Sequence, residues 1–126
     1  MSSPNFTILY VEDNELNMAL MDHIFKKIPH IRLIGAASAE EGIELATYGQ
    51  PDLIFMDIQL PGMNGYEALE ELRSREETRH IPVLAVSSFA QKSDIEKGMQ
   101  AGFADYITKP FHVKAFMTLI EQWTRG

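Results

Sequence analysis

The chain has 126 residues, which suits a single domain and leaves too little sequence for two well-packed hydrophobic cores. Its 18 acidic and 11 basic residues give a net charge of -7, which disfavours binding to nucleic acid. It has no cysteine, no basic segment followed by an apolar run at its start, and no apolar stretch of about 18 residues. Disulfides, a signal peptide and a membrane span are therefore not expected, and we expect a cytoplasmic protein.

The first predicted elements are a strand and a helix. Residues 6–11 form a short apolar and β-branched run, which predicts a buried strand that ends at Glu12. Helical spacing then extends from Asn14 to Ile28, and Pro29 ends it. The predicted apolar face of this helix consists of Asn17, Leu20, Met21, Ile24 and Ile28.

The middle of the chain repeats this alternation. Residues 32–37 are a weaker strand candidate, and Ser38 with Glu41 has the spacing of a capping box, which predicts a helix that ends at Gly49. Residues 52–57 are apolar between two carboxylates and predict a third strand. The Pro- and Gly-rich residues 61–65 are typical of a loop, and the helix predicted after it has the apolar residues Ala68, Leu69 and Leu72.

Two further strands and two further helices complete the pattern. Strands are predicted at residues 81–86 and 103–108, with a polar helix at residues 91–101 between them that ends at Gly102. Lys109-Pro110 interrupts the last strand, and the final helix is marked by Val113, Phe116, Met117 and Ile120. Five strand–helix pairs predict an α/β fold with a parallel sheet covered by helices on both faces, and residues 1–126 are expected to form one domain.

Polar side chains collect where the predicted strands end. Ligands of open parallel α/β sheets bind beyond the carboxyl ends of the strands. The first strand ends in Glu12-Asp13, the third in Asp57, the fourth in Ser87 and the fifth in Lys109. We therefore expect three carboxylates, a hydroxyl and an amine to meet at one edge of the sheet.

These residue types indicate phosphoryl chemistry. Clustered carboxylates repel one another, and a set of oxygen ligands without Cys or nearby His suits Mg²⁺ or Mn²⁺. Lys109 offers a positive charge and Ser87 a hydrogen-bond donor for phosphoryl oxygens. The sequence thus predicts a site that stabilises a phosphoryl group in transfer, with Asp57 of the middle strand as the nucleophile.

Four segments resemble the receiver domains of response regulators. They are Val-Glu-Asp-Asn at 11–14, Met-Asp-Ile-Gln-Leu-Pro-Gly-Met-Asn-Gly at 56–65, Pro-Val-Leu-Ala-Val-Ser at 82–87 and Tyr-Ile-Thr-Lys-Pro at 106–110. Each segment alone is a weak indication, but the four in this order and at this spacing are specific. The resemblance covers essentially the whole chain.

The resemblance implies a fold and a reaction. The fold would be a flavodoxin-like, doubly wound (βα)5 sheet with strand order 2-1-3-4-5, and the domain would signal rather than act as an enzyme. Asp57 would take a phosphoryl group from a phosphohistidine on a sensor histidine kinase or a histidine phosphotransfer protein. Mg²⁺ would be bound by Asp13, Asp57 and the backbone carbonyl of Gln59, with Glu12 helping through water.

The resemblance also implies a response to phosphorylation. Ser87 and Lys109 would bind the new phosphate, and Tyr106 would turn inward as Ser87 shifts. This change would remodel the face formed by the fourth helix, the fifth strand and the fifth helix, where a downstream protein target would dock. The family often has a cis peptide bond before the proline that corresponds to Pro110.

Several positions depart from the commonest family pattern or tune it. Glu12 stands where many members have Asp, and Ser87 replaces the commoner Thr, which keeps the hydroxyl and loses a methyl group. Gln59 and Phe89 occupy positions that flank the phosphate in the family and influence its lifetime. Because an apolar Phe89 cannot position an attacking water, we expect a long-lived phosphoryl state.

Other functions stay open from the residues alone. A metal-dependent aspartyl phosphatase of the haloacid dehalogenase type would have a second Asp two residues after the nucleophile, where this chain has Gln59. A flavodoxin-like cofactor binder would need a Ser/Thr/Gly-rich loop where Glu12-Asp13 stands. A receiver that no longer uses phosphate would lack the acceptor, an acidic partner or the lysine. The chain could act alone or belong to a hybrid sensor kinase.

Overall fold

The computed structural model describes residues 6–124, so the prediction that the start of the chain is not a signal peptide falls outside the described residues. The strands are β1 (Phe6–Val11), β2 (Ile31–Ala36), β3 (Leu53–Asp57), β4 (Val83–Ser87) and β5 (Asp105–Thr108). The helices are α1 (Glu15–Phe25), α2 (Ala39–Gly49), α3 (Gly65–Ser74), α4 (Lys92–Ala101) and α5 (Val113–Thr124). None of the helices within residues 6–124 has the length and apolar character that crossing a membrane requires.

The strands form one parallel sheet in the order β2-β1-β3-β4-β5, which confirms the predicted fold class and strand order. The order reverses between β1 and β3, so the carboxyl ends of these two strands border the crevice where such sheets bind ligands. All five residues of β3 are buried, because this strand lies at the centre of the sheet and is covered on both faces.

Two apolar layers hold the sheet, one on each face. Alternation along the strands sends Leu9 and Val11 of β1 into the layer beneath α2 and α3, and Ile8 and Tyr10 into the layer beneath α1 and α5. In the second layer the rings of Tyr10 and Phe55 pack edge to face with their centroids 6.3 Å apart. The rings of Phe55 and Phe116 pack in the same way with their centroids 5.8 Å apart. The helix α4 is attached more weakly: within its described residues only Gly98 is buried.

The apolar face predicted for the first helix was wrong at one position. Leu20 is 43% exposed, whereas Phe25 is buried. The helix is shorter than predicted because the chain tightens after Phe25, where the Lys27 and Ile28 amides donate to carbonyls three residues earlier. Ile28 is buried as expected, but it lies beyond the end of α1.

Hydrogen bonds at helix ends explain two further differences from the predicted elements. Ser38 caps α2 through a hydrogen bond from the Glu41 amide, but the Glu41 carboxylate accepts from the Ala37 amide, so the predicted capping box forms only in part. The fifth strand begins at Asp105 instead of residue 103, because the Phe103 amide donates to Gly98 at the end of α4.

The start of α3 lies against the end of β3. A Cβ atom at Gly65 would lie 2.5 Å from the backbone oxygen of Asp57 and 2.6 Å from Cα of Ile58. The Gly65 amide also donates to the Ile58 carbonyl at 2.9 Å. Glycine is therefore required here, and this contact fixes the path of the loop that follows Asp57.

We expect Gly65→Ala to lower the free energy of unfolding by about 2–3 kcal/mol, because the added methyl group meets backbone atoms that cannot move aside as a side chain would. Gly49→Ala is the matched control, since a Cβ at that helical position has nothing within 4 Å and alanine favours a helix. Urea unfolding of both variants measures the difference. Equal stabilities would contradict the close approach at Gly65.

Candidate functional site

Three carboxylates lie together at the carboxyl edge of the sheet. Glu12 and Asp13 follow β1, and Asp57 ends the neighbouring strand β3. One oxygen atom from each side chain lies within 4.8 Å of the others. Glu12 and Asp57 are only 2% and 3% exposed, whereas Asp13 faces solvent. Residues distant along the chain thus form the acidic cluster that the sequence predicts.

Lys109 bridges the two buried carboxylates. Its Nζ donates to Oε1 of Glu12 at 2.7 Å and to Oδ2 of Asp57 at 3.0 Å. The lysine follows β5, its amide donates to the Ser87 carbonyl at 2.8 Å, and the Lys109–Pro110 peptide bond is cis, the isomer that the resemblance implies. One ammonium group cannot neutralise three carboxylates, so the cluster keeps an excess of negative charge that suits a further cation.

The Asp57 carboxylate is held at both oxygen atoms. Oδ1 accepts a hydrogen bond from the Gln59 amide at 2.9 Å, and Oδ2 accepts from Lys109. The exposed Gln59 side chain accepts a long hydrogen bond of 3.4 Å from Ser88. The same loop residue thus positions Asp57 through its amide, and the role of its carbonyl as a metal ligand stays a prediction.

The site shifts the pKa values of the two buried carboxyl groups in opposite directions. Burial raises the pKa of Asp57 to about 6, and Glu12 adds to the rise, while the Gln59 amide and Lys109 offset part of it. Burial also raises the pKa of Glu12, but hydrogen bonds with Asp57, Lys109 and Tyr10 outweigh it and bring that pKa below its ordinary value. For Lys109, the carboxylates raise the pKa despite burial. Asp57 is therefore the carboxyl that takes up a proton when no other cation is bound.

Ser87, Phe89 and Tyr106 are connected by hydrogen bonds beside the cluster. The buried Ser87 hydroxyl accepts from the Phe89 amide at 3.0 Å, and the Tyr106 hydroxyl donates to the Phe89 carbonyl at 2.6 Å. The Phe89 side chain itself is 55% exposed. The half-buried Tyr106 ring lies where a Cβ of Gly98 would be only 3.0 Å away. The loop from β4 to α4 is thus tied to β5 through its backbone.

Sequence analysis missed Tyr10 as a site residue. Its phenol is fully buried and donates to Oε1 of Glu12 at 2.7 Å. Burial, followed by the hydrogen bond to Glu12, raises the pKa of Tyr10, so the phenol stays a neutral donor. The signal was present in the sequence, since residues two apart in a strand point to the same face. A tyrosine two positions before a predicted metal-site glutamate is therefore expected on the same side of the strand as that glutamate.

A doubly wound parallel sheet whose carboxyl edge holds three acidic side chains and a lysine defines the phosphoacceptor class of signalling domains. The family model for the response regulator receiver domain matches residues 8–121, and the chain belongs to this family. Such domains work in two-component systems, whose partners are histidine kinases, and they bind Mg²⁺ at an acidic site.

Curated relatives agree with this assignment. The chain is 43% identical over 117 residues to the polar-differentiation response regulator DivK of Brucella ovis, a match that covers 93% of this chain and 94% of DivK. The DivK of Brucella anthropi is 41% identical over the same coverage. A match of this extent leaves no major part of either chain without a counterpart.

Solved structures give the same fold. The receiver domain of the sensor histidine kinase PA1611 from Pseudomonas aeruginosa PAO1, with a magnesium ion coordinated in its active site cleft, is 30% identical with a TM-score of 0.85, covering 96% of this chain and 98% of that one. The chemotaxis protein CheY4 of Vibrio cholerae has a TM-score of 0.83 at 20% identity, covering 93% of this chain and 97% of that one, and supports the fold alone.

We expect protons to compete with Mg²⁺ at this site. Because burial raises the pKa of Asp57 to about 6, its carboxyl is mostly ionised at neutral pH and mostly protonated below pH 6. Affinity for Mg²⁺ should fall about tenfold between about pH 7 and about pH 5, since the metal binds only the ionised form. Amide NMR titrations with Mg²⁺ at a series of pH values measure this.

The control is a carboxyl-carbon NMR titration of the metal-free protein, in which Asp57→Asn should remove the group that titrates near pH 6. An affinity for Mg²⁺ that does not change over this range would contradict the raised pKa of Asp57.

Proposed function

We propose that Asp57 is the phosphoacceptor of this chain and that it takes its phosphoryl group from a phosphohistidine on a sensor histidine kinase or a histidine phosphotransfer protein. One observation carries the proposal: the Lys109 ammonium lies between the buried Glu12 and Asp57 carboxylates, with Asp13 completing an oxygen cluster. This places a nucleophile between a cation site and a fixed positive charge, which is what a transferring phosphoryl group needs.

The acidic cluster fits Mg²⁺, and Mn²⁺ shares its preference for oxygen ligands. Asp13, Asp57 and the backbone carbonyl of Gln59 would hold the ion, with Glu12 acting through water. The magnesium ion in the active site cleft of the PA1611 receiver domain supports this assignment. When bound, the ion neutralises charge on the phosphoryl oxygens.

The residues of this chain have separate parts in the transfer. An oxygen of Asp57 attacks phosphorus, the phosphorus–nitrogen bond to the donor imidazole breaks, and the imidazole nitrogen keeps the electron pair. Lys109 exchanges its contact with Asp57 for one with a phosphoryl oxygen. The Ser87 hydroxyl accepts a hydrogen bond from the Phe89 amide, which leaves its own hydrogen free for another phosphoryl oxygen.

The downstream target is proposed to dock on the face formed by α4, β5 and α5. Two hydrogen bonds connect the phosphate site to this face, from the Phe89 amide to Ser87 and from Tyr106 to the Phe89 carbonyl. A shift of Ser87 toward the phosphate therefore moves the loop between β4 and α4, whose Phe89 carbonyl accepts the hydrogen bond from Tyr106. Inward rotation of the Tyr106 ring, which now packs against Gly98, then changes the surface beside α4.

We further propose that residues 1–126 act as one receiver domain in the cytoplasm, with no chemistry beyond their own phosphorylation and dephosphorylation. The opposing possibility, a phosphatase that turns over substrates, would use a second Asp two residues after the nucleophile. Gln59 occupies that position, and it contacts Asp57 through its backbone N–H and not through its side chain.

Incubation with Mg²⁺ and acetyl phosphate should add one phosphoryl group to the full chain, and Asp57→Asn should remove that addition, because an amide oxygen is a poor nucleophile. Intact-mass spectrometry measures both. Asp52→Asn is the matched control: Asp52 precedes the other end of β3 and accepts a hydrogen bond from the Thr7 amide, far from the cluster. A phosphoryl group that persists in Asp57→Asn would contradict the assignment of the acceptor.

The phosphoryl group should be long-lived, and Phe89→Gln should shorten its lifetime several-fold, because an amide can orient an attacking water and a phenyl ring cannot. Phe89→Ala is the control, since it opens the site without adding a polar group. Loss of the added mass with time gives the hydrolysis rates. A wild-type half-life of only seconds, or equal acceleration by both substitutions, would count against this role of Phe89.

A further inference from the structure

We infer that Tyr10 is a positioning residue of the metal site, which holds the Glu12 carboxylate so that one oxygen is turned toward the cation; this inference rests on the proposed function. The Tyr10 hydroxyl and the Lys109 ammonium donate to the same atom, Oε1 of Glu12, each at 2.7 Å. The other oxygen, Oε2, accepts a weaker hydrogen bond of 3.2 Å from the Asn14 amide and keeps a lone pair.

Glutamate at position 12 needs such support. Its side chain has one more rotatable bond than aspartate, and each freely rotating bond scatters the carboxylate over more positions. A carboxylate that acts on the metal through water must still present its oxygen at a fixed point. Lys109 alone cannot supply this, because its ammonium also contacts Asp57 and is expected to move toward the phosphoryl group. Of the two donors to Oε1, Tyr10 is the one that has no other partner among the described hydrogen bonds.

The phenol is itself fixed. The Tyr10 side chain is fully buried, and its ring packs edge to face on Phe55 in the layer beneath α1 and α5. The ring could fill this space equally well as phenylalanine, so packing does not explain the hydroxyl. A buried hydroxyl is costly unless it is hydrogen-bonded, and here its partner is a residue of the acidic cluster.

The geometry predicts that Tyr10 and Glu12 act as a coupled pair. Aspartate at position 12 is one methylene shorter, and its carboxylate would be drawn back from the phenol by more than the tolerance of a hydrogen bond. The influence of the Tyr10 hydroxyl on the metal should therefore exist with glutamate at position 12 and vanish in Glu12→Asp. A role in packing or stability alone has no such dependence.

Four proteins that span residues 1–126 test the coupling: wild type, Tyr10→Phe, Glu12→Asp and the double variant. Mg²⁺ affinity is measured by titration calorimetry at one pH, and urea unfolding without metal is measured in parallel. We expect Tyr10→Phe to weaken Mg²⁺ binding about tenfold in wild type and by less than about twofold in the Glu12→Asp background. Tyr48→Phe, which removes an exposed hydroxyl from α2, is the matched control and should leave the affinity unchanged.

Other results overturn the inference in distinguishable ways. Equal weakening in both backgrounds would mean that the phenol does not act through Glu12. Lower stability with unchanged Mg²⁺ affinity would make Tyr10 a structural residue only. If wild-type protein bound no Mg²⁺, the proposed metal site would fail together with the inference, whereas the first two results would leave that site intact.

Discussion

The structure depends on how a few buried charges are balanced at the edge of one sheet. Two carboxylates with almost no exposure would be costly side by side, and Lys109 makes their burial tolerable by donating to both. The compensation is incomplete, because Asp13 adds a further negative charge nearby. A site in this condition attracts a metal cation, while the Lys109 ammonium and the Gln59 amide offset enough of the repulsion to leave the nucleophile mostly ionised at neutral pH. The excess of carboxylates over ammonium groups is unfavourable in the resting site, but it allows the site to bind the cation that phosphoryl transfer needs.

The fold is arranged around this balance. The charged residues Glu12, Asp57 and Lys109 lie at the carboxyl ends of β1, β3 and β5. In the chain, Lys109 is 97 positions from Glu12 and 52 from Asp57. The Gly65 contact confines the loop after Asp57, and the Ser87 carbonyl receives the Lys109 amide, so the positions of the charges are set by backbone as much as by side chains. The apolar layers on both faces of the sheet make that backbone rigid.

Sequence alone predicted the strand–helix alternation and the residues at the strand ends, since both follow from periodicity and from the geometry of parallel sheets. It failed where tertiary contacts decide. Phe25 is buried in place of Leu20 because its ring packs edge to face on Phe116 of α5, a tertiary contact that helical periodicity does not express. Tyr10 read as an ordinary strand residue because strand alternation places it on the same side as Glu12 but does not show that its hydroxyl donates to that carboxylate. The half-formed capping box at Ser38 shows the same limit on a smaller scale.

The weak attachment of α4 has a consequence for how the domain transmits information. A helix that buries one glycine contributes little hydrophobic anchoring, and glycine inside a helix costs about 1 kcal/mol relative to alanine. Local opening of α4 should therefore need far less free energy than opening of the central strand, and amide hydrogen exchange should be fastest there among the helices. A segment anchored so weakly can be reorganised by the addition of one charged group at Asp57, outside the helix. The weak packing of α4 thus makes its position sensitive to a change at the site, while the buried sheet stays in place.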